Sequence, residues 1–366
     1  MTFLPGLELC RRFHDEAVRP ILAARFPGLR YAAARIGRGS DVLGLDTARS
    51  MDHDWGPRLL VFLDPATIAS TGGEVDAALA AGLPATFLGL PARFSAHQDT
   101  ASGVLDPAGE RHGCTVTTLD RWFAGQLGFD PRTGPNTFDW LATPTQRLAE
   151  VTGGAVFHDG LDGALETARR RLRWYPDDVW RYVLACQWTR VGQEEHLAGR
   201  AADVGDELGS AVLAARLARD LARLALLLAR TWPPYGKWLG TALARLPTDT
   251  GGGLAADLAA AITAPDWPTR EDHLCRAYER VAAAGNATGL ARPVDPRVRP
   301  FHDRPFRVLD AGRFATALTE AITDPTLRGL PPVGAVDQYL DNTDVLCHTA
   351  RTRAVAGALT PLEVAP

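Results

Sequence analysis

The first part of the chain mixes helical and strand-like spacing of its hydrophobic residues. Apolar residues recur every three or four positions over residues 6–26, which predicts an amphipathic helix. The same spacing predicts shorter helices over 74–81 and 122–127. Short apolar runs predict strands over 31–36, 52–63, 86–90 and 114–119. Helices that alternate with strands in this way indicate an α/β sheet domain with mixed pairing, and we place it at residues 1–142.

Beyond residue 143 the spacing becomes almost entirely helical. Helices are predicted over 162–173, 177–191, 194–205, 206–230, 235–246, 255–263, 272–284 and 313–323. A segment rich in Pro and Arg, 286–305, predicts an irregular connection, and the glycines at 72–73 and 251–253 predict loops. The pattern as a whole predicts an α+β protein, in which a small mixed-sheet domain precedes a helical bundle at 143–350 and a tail at 351–366.

Composition narrows the class of protein. The 366 residues are 46% hydrophobic and 22% charged, with a net charge of −4, which is typical of a soluble globular protein and gives no whole-chain argument for binding nucleic acid or a membrane. The five cysteines are scattered without a C-x-x-C pair, which favours a reducing cytoplasm. The histidines form no ligand pair at helical spacing, so we expect no zinc. We also expect no signal peptide and no membrane partner.

Two short motifs carry the chemistry that the sequence predicts. Gly39-Ser40 follows the predicted strand at 31–36, and a Gly-Ser turn brings backbone amides and a hydroxyl close to phosphate oxygens. After eleven further residues come Asp52 and Asp54, on either side of His53. On a strand, residues two apart share a face. Two adjacent carboxylates opposite a phosphate-binding turn are suited to Mg²⁺-assisted phosphoryl or nucleotidyl transfer, with two ions expected.

Each motif also has a purely structural interpretation. Asp52 and Asp54 are also compatible with a solvated edge strand or a turn, although paired aspartates are disfavoured in strands without a specific reason. Ser40 is a good N-cap for a helix that begins at Asp41. The capping role and the phosphate role are compatible, because the free amides of a helix N-terminus bind anions.

The Gly-Ser and Asp-x-Asp pair resembles the signature of the DNA polymerase beta-like nucleotidyltransferase superfamily. The string GRGSDVLGLDTARSMDHDWGPRLLVFL at 37–63 is similar to an uncharacterised bacterial branch of it, described only as a domain of unknown function. WYPDDVW at 174–180, GDELGS at 205–210 and PPYGKW at 233–238 extend the resemblance, which covers about residues 30–245. The resemblance implies a fold and a chemistry, and it implies no substrate.

The resemblance further implies a third carboxylate, on a later strand, that binds metal and accepts the proton of the attacking hydroxyl. The strand at 114–119 carries no acid, and Asp120 directly after it is our candidate. Asp120 is equally well explained as the N-cap of the following helix. Acids of the helical region are the alternatives, namely Glu194, Glu195 and Asp206.

Four further residues are candidates for contact with a nucleoside triphosphate. Arg58 lies four residues after Asp54 and is a candidate for the triphosphate. Lys237 is a candidate for the phosphates, and Tyr235 or Trp238 beside it offers a stacking face for a base. Lys237 is equally compatible with a solvent-exposed surface position, and Trp238 with a place in the core.

These expectations combine into one function with two rivals. We expect a bacterial adenylyltransferase-like enzyme that uses Mg²⁺ and ATP, or another nucleoside triphosphate, bound between the two domains. We expect a small-molecule acceptor, with a protein side chain or an RNA end still open. The first rival is a nucleotide-binding regulator that has lost turnover, because the strand acid is missing. The second is an interaction protein of toxin-antitoxin type.

Overall fold

The computed structural model describes residues 3–51, 55–96, 103–105, 111–247 and 251–359. The chain divides into two compact units. The sheet unit comprises Met1–Pro135 and Arg147–Arg173, and the helical unit comprises Asn136–Gln146 and Trp174–Pro366. The protein is therefore α+β, as the sequence predicts.

The first half of the chain supplies nine short strands and seven helices among the described residues. The strands are β1 (Ala32–Arg35), β2 (Leu59–Phe62), β3 (Thr86–Phe87), β4 (Leu90–Pro91), β5 (Arg93–Ala96), β6 (Gly103–Leu105), β7 (Arg111–His112), β8 (Cys114–Thr117) and β9 (Ala155–Asp159). The helices are α1 (Gly6–Phe13), α2 (Arg19–Arg25), α3 (Pro65–Gly82), α4 (Leu119–Leu127), α5 (Thr137–Leu141), α6 (Thr145–Thr152) and α7 (Ala164–Arg171).

Four of these strands form the main sheet of the sheet unit, in the order β8-β2-β1-β9. β1 is antiparallel to both of its neighbours, and β2 is parallel to β8. Parallel neighbours need a crossover connection, and α3 lies between β2 and β8 in the chain. In the β1–β2 register Ala34 pairs with Leu60, so the end of β1 meets the start of β2 at one edge of the sheet.

The predicted helix over 6–26 is confirmed, with one irregularity. α1 and α2 are joined without a break by a π-helical segment, His14–Val18. Pro20 lies in the first turn of α2 and has no N–H to donate to the carbonyl of Glu16, so the regular hydrogen-bond ladder cannot continue through this point. The apolar side of this helix joins strand residues in the core of the sheet unit, which includes Leu9, Phe13, Leu22, Val61, Leu79 and Cys114.

The strand predicted over 52–63 is shorter than expected. Residues 52–54 lie outside the described residues, and β2 begins only at Leu59. Gly56 has a φ of +125°, and Pro57 cannot donate a ladder hydrogen bond. These two residues explain why 55–58 is not a strand. The strand predicted over 86–90 is a tight hairpin instead, because Leu88 and Gly89 both have positive φ and reverse the chain between β3 and β4.

Two glycine-containing segments that were predicted to be loops lie in helices. α3 begins at Pro65, nine residues before the predicted start, and runs through Gly72 and Gly73. Asp64 caps this helix by accepting hydrogen bonds from the amides of Ala66 and Thr67. Gly72 is buried, and a Cβ there would lie 2.7 Å from the side chain of Ile68. The predicted loop at 251–253 is only partly wrong, since α12 (Gly252–Thr263) starts within it.

The remaining elements belong to the helical unit. They are α8 (Asp177–Glu194), α9 (Leu197–Asp203), α10 (Glu207–Leu228), α11 (Gly236–Ala244), α12, α13 (Trp267–Ala287), β10 (Arg299–Pro300), β11 (Arg307–Val308), α14 (Gly312–Glu320), α15 (Pro325–Arg328), α16 (Val336–Tyr339), α17 (Thr343–Leu346) and α18 (Thr349–Val355).

A long apolar helix is at the centre of this second unit. α10 packs against α8, α9, α12 and α13, and α14 packs against α8. The side chains of α10 from Leu217 to Leu228 are almost all buried, which explains its apolar sequence. None of the helices in the described part of the chain is both long enough and apolar enough to cross a membrane.

Candidate functional site

The Gly-Ser motif lies in the turn directly after β1. Gly37 and Gly39 have φ values of +93° and +140°, which an L side chain rarely adopts, so the turn requires glycine at both positions. The amide of Gly37 donates to the carbonyl of Glu150 over 2.8 Å, and the amide of Leu45 donates to the carbonyl of Ser40 over 2.8 Å. Residues 40–44 form turns, and no helix begins at Asp41. The helix-capping interpretation of Ser40 is therefore wrong.

A buried ion pair holds this turn in place. Arg35, the last residue of β1, donates from Nε and Nη2 to the two carboxylate oxygens of Asp41, each over 2.7 Å. The side chains are 7% and 0% exposed. Arg35 Nη2 also donates to the carbonyl of Arg38 over 2.8 Å. The pair is bidentate and spans the Gly-Ser motif, so it fixes the path of the turn. No motif in the sequence predicted this pair.

The segment that leads into β2 is anchored at the same edge. Trp55 is 2% exposed, and its Nε1 donates to Asp46 Oδ2 over 3.0 Å. The amide of Gly6 donates to the same oxygen over 2.7 Å. A Cβ on Gly6 would lie 2.6 Å from the Cβ of Asp41, so only glycine allows this close packing. The chain therefore enters β2 from a fixed point beside the turn after β1.

The predicted metal ligands Asp52 and Asp54, with His53 between them, lie outside the residues that the structure describes. Their pairing on one strand face stays a prediction. Within the ranges that are described, no group of three or more His, Cys, Asp or Glu side chains is arranged to hold a metal ion.

Asp120 lies at the other edge of the sheet. β8 runs parallel to β2, with Cys114 beside Leu59 and Thr117 beside Phe62. Asp120 follows the end of β8, whereas the turn after β1 lies where β2 begins. Four strand residues at about 3.3 Å each separate the two edges by roughly 13 Å. The structure therefore does not bring Asp120 together with Gly39 and Ser40.

The local role predicted for Asp120 also needs correction. The N-cap of α4 is Thr118, whose Oγ1 accepts a hydrogen bond from the amide of Arg121 over 3.3 Å. Thr118 directly precedes the helix and has the extended backbone of a cap, whereas Asp120 is already within the first turn. The Asp120 side chain is 50% exposed and lies 4.0 Å from Arg132. Asp120 is therefore a surface carboxylate.

The candidate phosphate and base contacts fall in both units. Arg58 directly precedes β2, and its guanidinium lies 5.3 Å from the ring centroid of Phe94. In the helical unit, Tyr235 is the N-cap residue of α11 and is 48% exposed. Lys237 Nζ lies 4.7 Å from the ring centroid of Trp238. Trp238 is only partly buried, so Lys237 and its two aromatic neighbours form an accessible cation and aromatic group.

The alternative acids of the helical region have structural partners. Glu194 pairs with Arg216, and Asp206 caps α10 by accepting from the amide of Gly209 over 2.8 Å. Glu195 is 5% exposed and accepts from the amides of Leu309, Asp310 and Ala311. Burial raises the pKa of Glu195 to about 7, although these three amides favour the ionised form.

A second buried ion pair lies within the helical unit. Asp337 Oδ2 accepts from Arg223 Nη2 over 2.9 Å, from the amide of Thr145 over 3.0 Å and from Thr145 Oγ1 over 2.5 Å. Burial raises the pKa of the Tyr175 hydroxyl well above its ordinary value, and the charge of Asp337 adds to this effect. Polar atoms around this pair lack a hydrogen-bond partner among the described residues, namely Trp174 Nε1, Tyr175 Oη, Arg223 Nε, Trp232 Nε1, Asp337 Oδ1 and Tyr339 Oη.

Comparison with known proteins adds one finding about this region. Residues 140–239 match the model of a family described as a domain of unknown function, DUF4037. The matched segment contains Thr145, Tyr175 and Arg223 of the buried cluster, and also Tyr235 and Lys237. No curated protein and no solved structure matches the chain.

Proposed function

We propose that this chain is a Mg²⁺-dependent nucleotidyltransferase that moves a nucleoside monophosphate from a nucleoside triphosphate, with ATP as the first candidate, to an acceptor hydroxyl. One observation carries the proposal. The Gly37–Ser40 turn and the segment that enters β2 lie at the same edge of the sheet, because β1 and β2 are antiparallel. In the sequence, Asp52 and Asp54 stand immediately before that segment.

The turn after β1 would bind the phosphates. Gly39 has no Cβ to block an anion, and Ser40 supplies a hydroxyl and an amide. The ion pair between Arg35 and Asp41 holds the turn before any ligand arrives. A donor group that is already fixed loses little free energy to reorganisation when charge develops in the transition state.

Asp52 and Asp54 would hold Mg²⁺, because carboxylate oxygens are the hard ligands that this ion prefers. When bound there, Mg²⁺ would neutralise charge on the phosphates and on the leaving pyrophosphate. In the reaction the acceptor oxygen forms a bond to the α-phosphorus, the bond from that phosphorus to the bridging oxygen breaks, and pyrophosphate leaves. The acceptor hydroxyl gives its proton to a base.

A second candidate function follows from the residues considered for the role of this base. β8 carries no carboxylate, and Asp120 lies at the opposite edge of the sheet from the turn after β1. A chain that binds a nucleoside triphosphate at the turn without a nearby base would act as a nucleotide-binding regulator. It would bind nucleotide with Mg²⁺ and release no pyrophosphate with any acceptor.

Thermal unfolding with a panel of nucleoside triphosphates tests the binding step. A ligand at about 100 times its Kd adds roughly 2.7 kcal/mol to the free energy of unfolding, which raises Tm by a few degrees. We expect a rise that requires Mg²⁺ and that the double variant Asp52→Asn/Asp54→Asn abolishes. The base that gives the largest rise identifies the nucleotide.

A matched control distinguishes the loss of the two metal-binding carboxylates from the loss of two negative charges. Asp162 and Asp341 have side chains that are 87% and 76% exposed, so Asp162→Asn/Asp341→Asn removes the same two charges elsewhere. This control should keep the rise in Tm. No rise with any triphosphate in the folded wild-type protein would count against both candidate functions, whereas binding without pyrophosphate release across an acceptor screen would favour the regulator.

A further inference from the structure

A cavity of about 910 Å³ lies within the helical unit. Residues of α8 and α14 line it, and the β10–β11 hairpin contributes Arg299, Phe301 and Val308. Its volume is in the range of small-molecule sites, about 300–1,000 Å³. None of the sequence motifs discussed above predicted a site here, because the lining residues come from segments that are more than 100 positions apart.

Arg299 brings a partly exposed guanidinium to this cavity, on a side chain that is 37% exposed. Its Nε is fully buried and has no hydrogen-bond partner among the described residues. Its Nη2 is 3.5 Å from Asp295 Oδ2, at the limit of a hydrogen bond. Burial lowers the pKa of the neighbouring Arg313, and the positive charge of Arg299 lowers it further. The protein therefore compensates the charge of Arg299 only weakly, and an anion in the cavity would pair with the exposed part of its guanidinium.

The other charged residues that line the cavity limit the negative charge that a bound ligand can carry. Arg328 adds a second guanidinium, while Asp310 and Glu320 add two exposed carboxylates. Glu195 adds a buried carboxyl group. With three acidic residues and two arginines in its lining, the cavity disfavours a ligand group that carries two negative charges. A single negative charge placed at Arg299 is the better match.

The walls of the cavity suit an apolar body. Val308, Pro300 and Ala315 contribute apolar surface. The lining threonines, Thr189, Thr316 and Thr319, each donate their hydroxyl hydrogen to a carbonyl four residues earlier in their own helix. Their hydroxyl hydrogens are therefore already used, so these threonines present methyl groups and require no hydrogen-bond acceptor from a ligand.

Glu195 shapes one wall of the cavity as a positioning residue. It accepts from the amides of residues 309–311, directly before α14. Asp310 in this loop has a φ of +59°, in the left-handed region that Asp tolerates better than most residues. The three hydrogen bonds to Glu195 hold this loop beside the cavity.

We infer that this cavity binds a small organic monoanion, in which an apolar body carries one carboxylate that pairs with Arg299. The inference does not depend on the proposed nucleotidyltransferase activity, since every residue that carries it belongs to the helical unit.

Ligand-observed NMR and calorimetry on the full chain test this inference with defined probes. The probes are benzoate, phenylacetate, indole-3-acetate and octanoate, each compared with its primary amide, and phenyl phosphate is compared with benzoate. We expect at least one carboxylate to bind with a Kd below about 1 mM and at least tenfold more tightly than its amide. Arg299→Gln should weaken that carboxylate by about tenfold to a hundredfold, the usual range for loss of a charge-assisted hydrogen bond.

A neighbouring arginine supplies the matched control. Arg297 contacts the same Asp295 but is 82% exposed, so Arg297→Gln removes the same charge without altering the cavity, and it should leave the Kd unchanged. Arg299→Lys should restore part of the affinity. No binding by any carboxylate, equal binding of acid and amide, equal weakening by both Gln variants, or tighter binding of phenyl phosphate than benzoate would each overturn the inference.

Discussion

Two buried arginine–aspartate pairs in the described part of the chain differ in how completely their hydrogen-bonding groups are satisfied. In the sheet unit, Arg35 meets both oxygens of Asp41 at 2.7 Å. In the helical unit, Arg223 meets only Oδ2 of Asp337, and Arg223 Nε and Asp337 Oδ1 are left without a partner in the described part of the chain. Both pairs are almost fully buried, so burial alone does not explain the difference.

The difference follows from what each pair connects. Arg35 and Asp41 are six residues apart and face each other across one tight turn, so local backbone geometry aligns the fork of the guanidinium with the carboxylate. Arg223 and Asp337 are 114 residues apart, and the same Asp337 oxygen also accepts from Thr145. The first pair is therefore a closed clamp for the proposed phosphate-binding turn. The second pair joins three segments of the chain, and Arg223 Nε and Asp337 Oδ1 have no hydrogen-bond partner among the described residues.

Asp41→Asn should give the largest loss of stability. The new amide group would place N–H donors against the N–H donors of Arg35 and leave a buried charge uncompensated, which costs about 3–5 kcal/mol. Urea unfolding of the variant and the wild type measures this loss. A change below about 1 kcal/mol would mean that the pair does not hold the turn in solution.

Glu195 is a third buried carboxyl group in this part of the comparison, and it accepts hydrogen bonds from backbone amides rather than from an arginine. Its pKa rises on folding from 4.5 to about 7 because of burial, so between these pH values the folded state binds more protons than the unfolded state. The free energy of unfolding therefore falls as the pH rises through this window, by about 3 kcal/mol for this group.

Glu195→Gln removes that dependence and supplies the measurement. Between pH 5 and pH 8 the wild type should lose up to about 3 kcal/mol relative to the variant, as read from urea unfolding at each pH. Parallel curves for the two proteins would show that Glu195 is ionised with an ordinary pKa in the folded state.

Asp337→Asn also leaves a buried arginine without its carboxylate, but one hydrogen bond rather than two joins this pair, so it should cost less than Asp41→Asn, about 2 kcal/mol. The remaining amide oxygen can still accept from Thr145 and Arg223, and its N–H₂ group would occupy the position of an oxygen that already lacks a partner. Urea unfolding gives the value. A loss larger than that of Asp41→Asn would reverse the ranking of the two pairs.

An exposed pair sets the lower end of the comparison. Arg30 and Asp162 form an ion pair with side chains that are 59% and 87% exposed, and such pairs contribute about 0–1 kcal/mol. Asp162→Asn should therefore change the free energy of unfolding by less than about 0.5 kcal/mol at 0.15 M salt. A larger loss would undermine its use as a control for charge.

Local patterns in the sequence predicted the helices and strands better than they predicted which strands pair with each other. The periodicity over residues 6–26 and the apolar runs at β1 and β8 were sufficient to predict those elements. The start of α3 was also readable, because Asp64-Pro65 is a typical N-cap followed by a first-turn proline. Two glycines in the middle of α3 obscured that signal. The close packing of Gly72 on Ile68 explains the first of them, whereas a Cβ on Gly73 would meet no neighbouring atom.

Features that depend on distant residues were not predicted. β9 is a short segment of a region that was predicted to be helical. It forms a strand because it pairs with β1, about 120 positions earlier in the chain. The Arg299 cavity and the Asp337 junction likewise join segments that are far apart in the sequence. The Arg35–Asp41 pair is local, yet its formation depends on the positive φ of Gly37 and Gly39, which the sequence permits but does not dictate.

Isothermal titration of ATP into the full chain, with and without Mg²⁺, tests the proposed nucleotide site most directly. We predict saturable binding in the presence of Mg²⁺ and a Kd at least a hundredfold weaker for Asp52→Asn/Asp54→Asn, while Asp162→Asn/Asp341→Asn binds like the wild type. Identical ATP affinity in the wild type and the Asp52/Asp54 variant, with both proteins folded, would contradict the assignment of this sheet edge as a nucleotidyltransferase site.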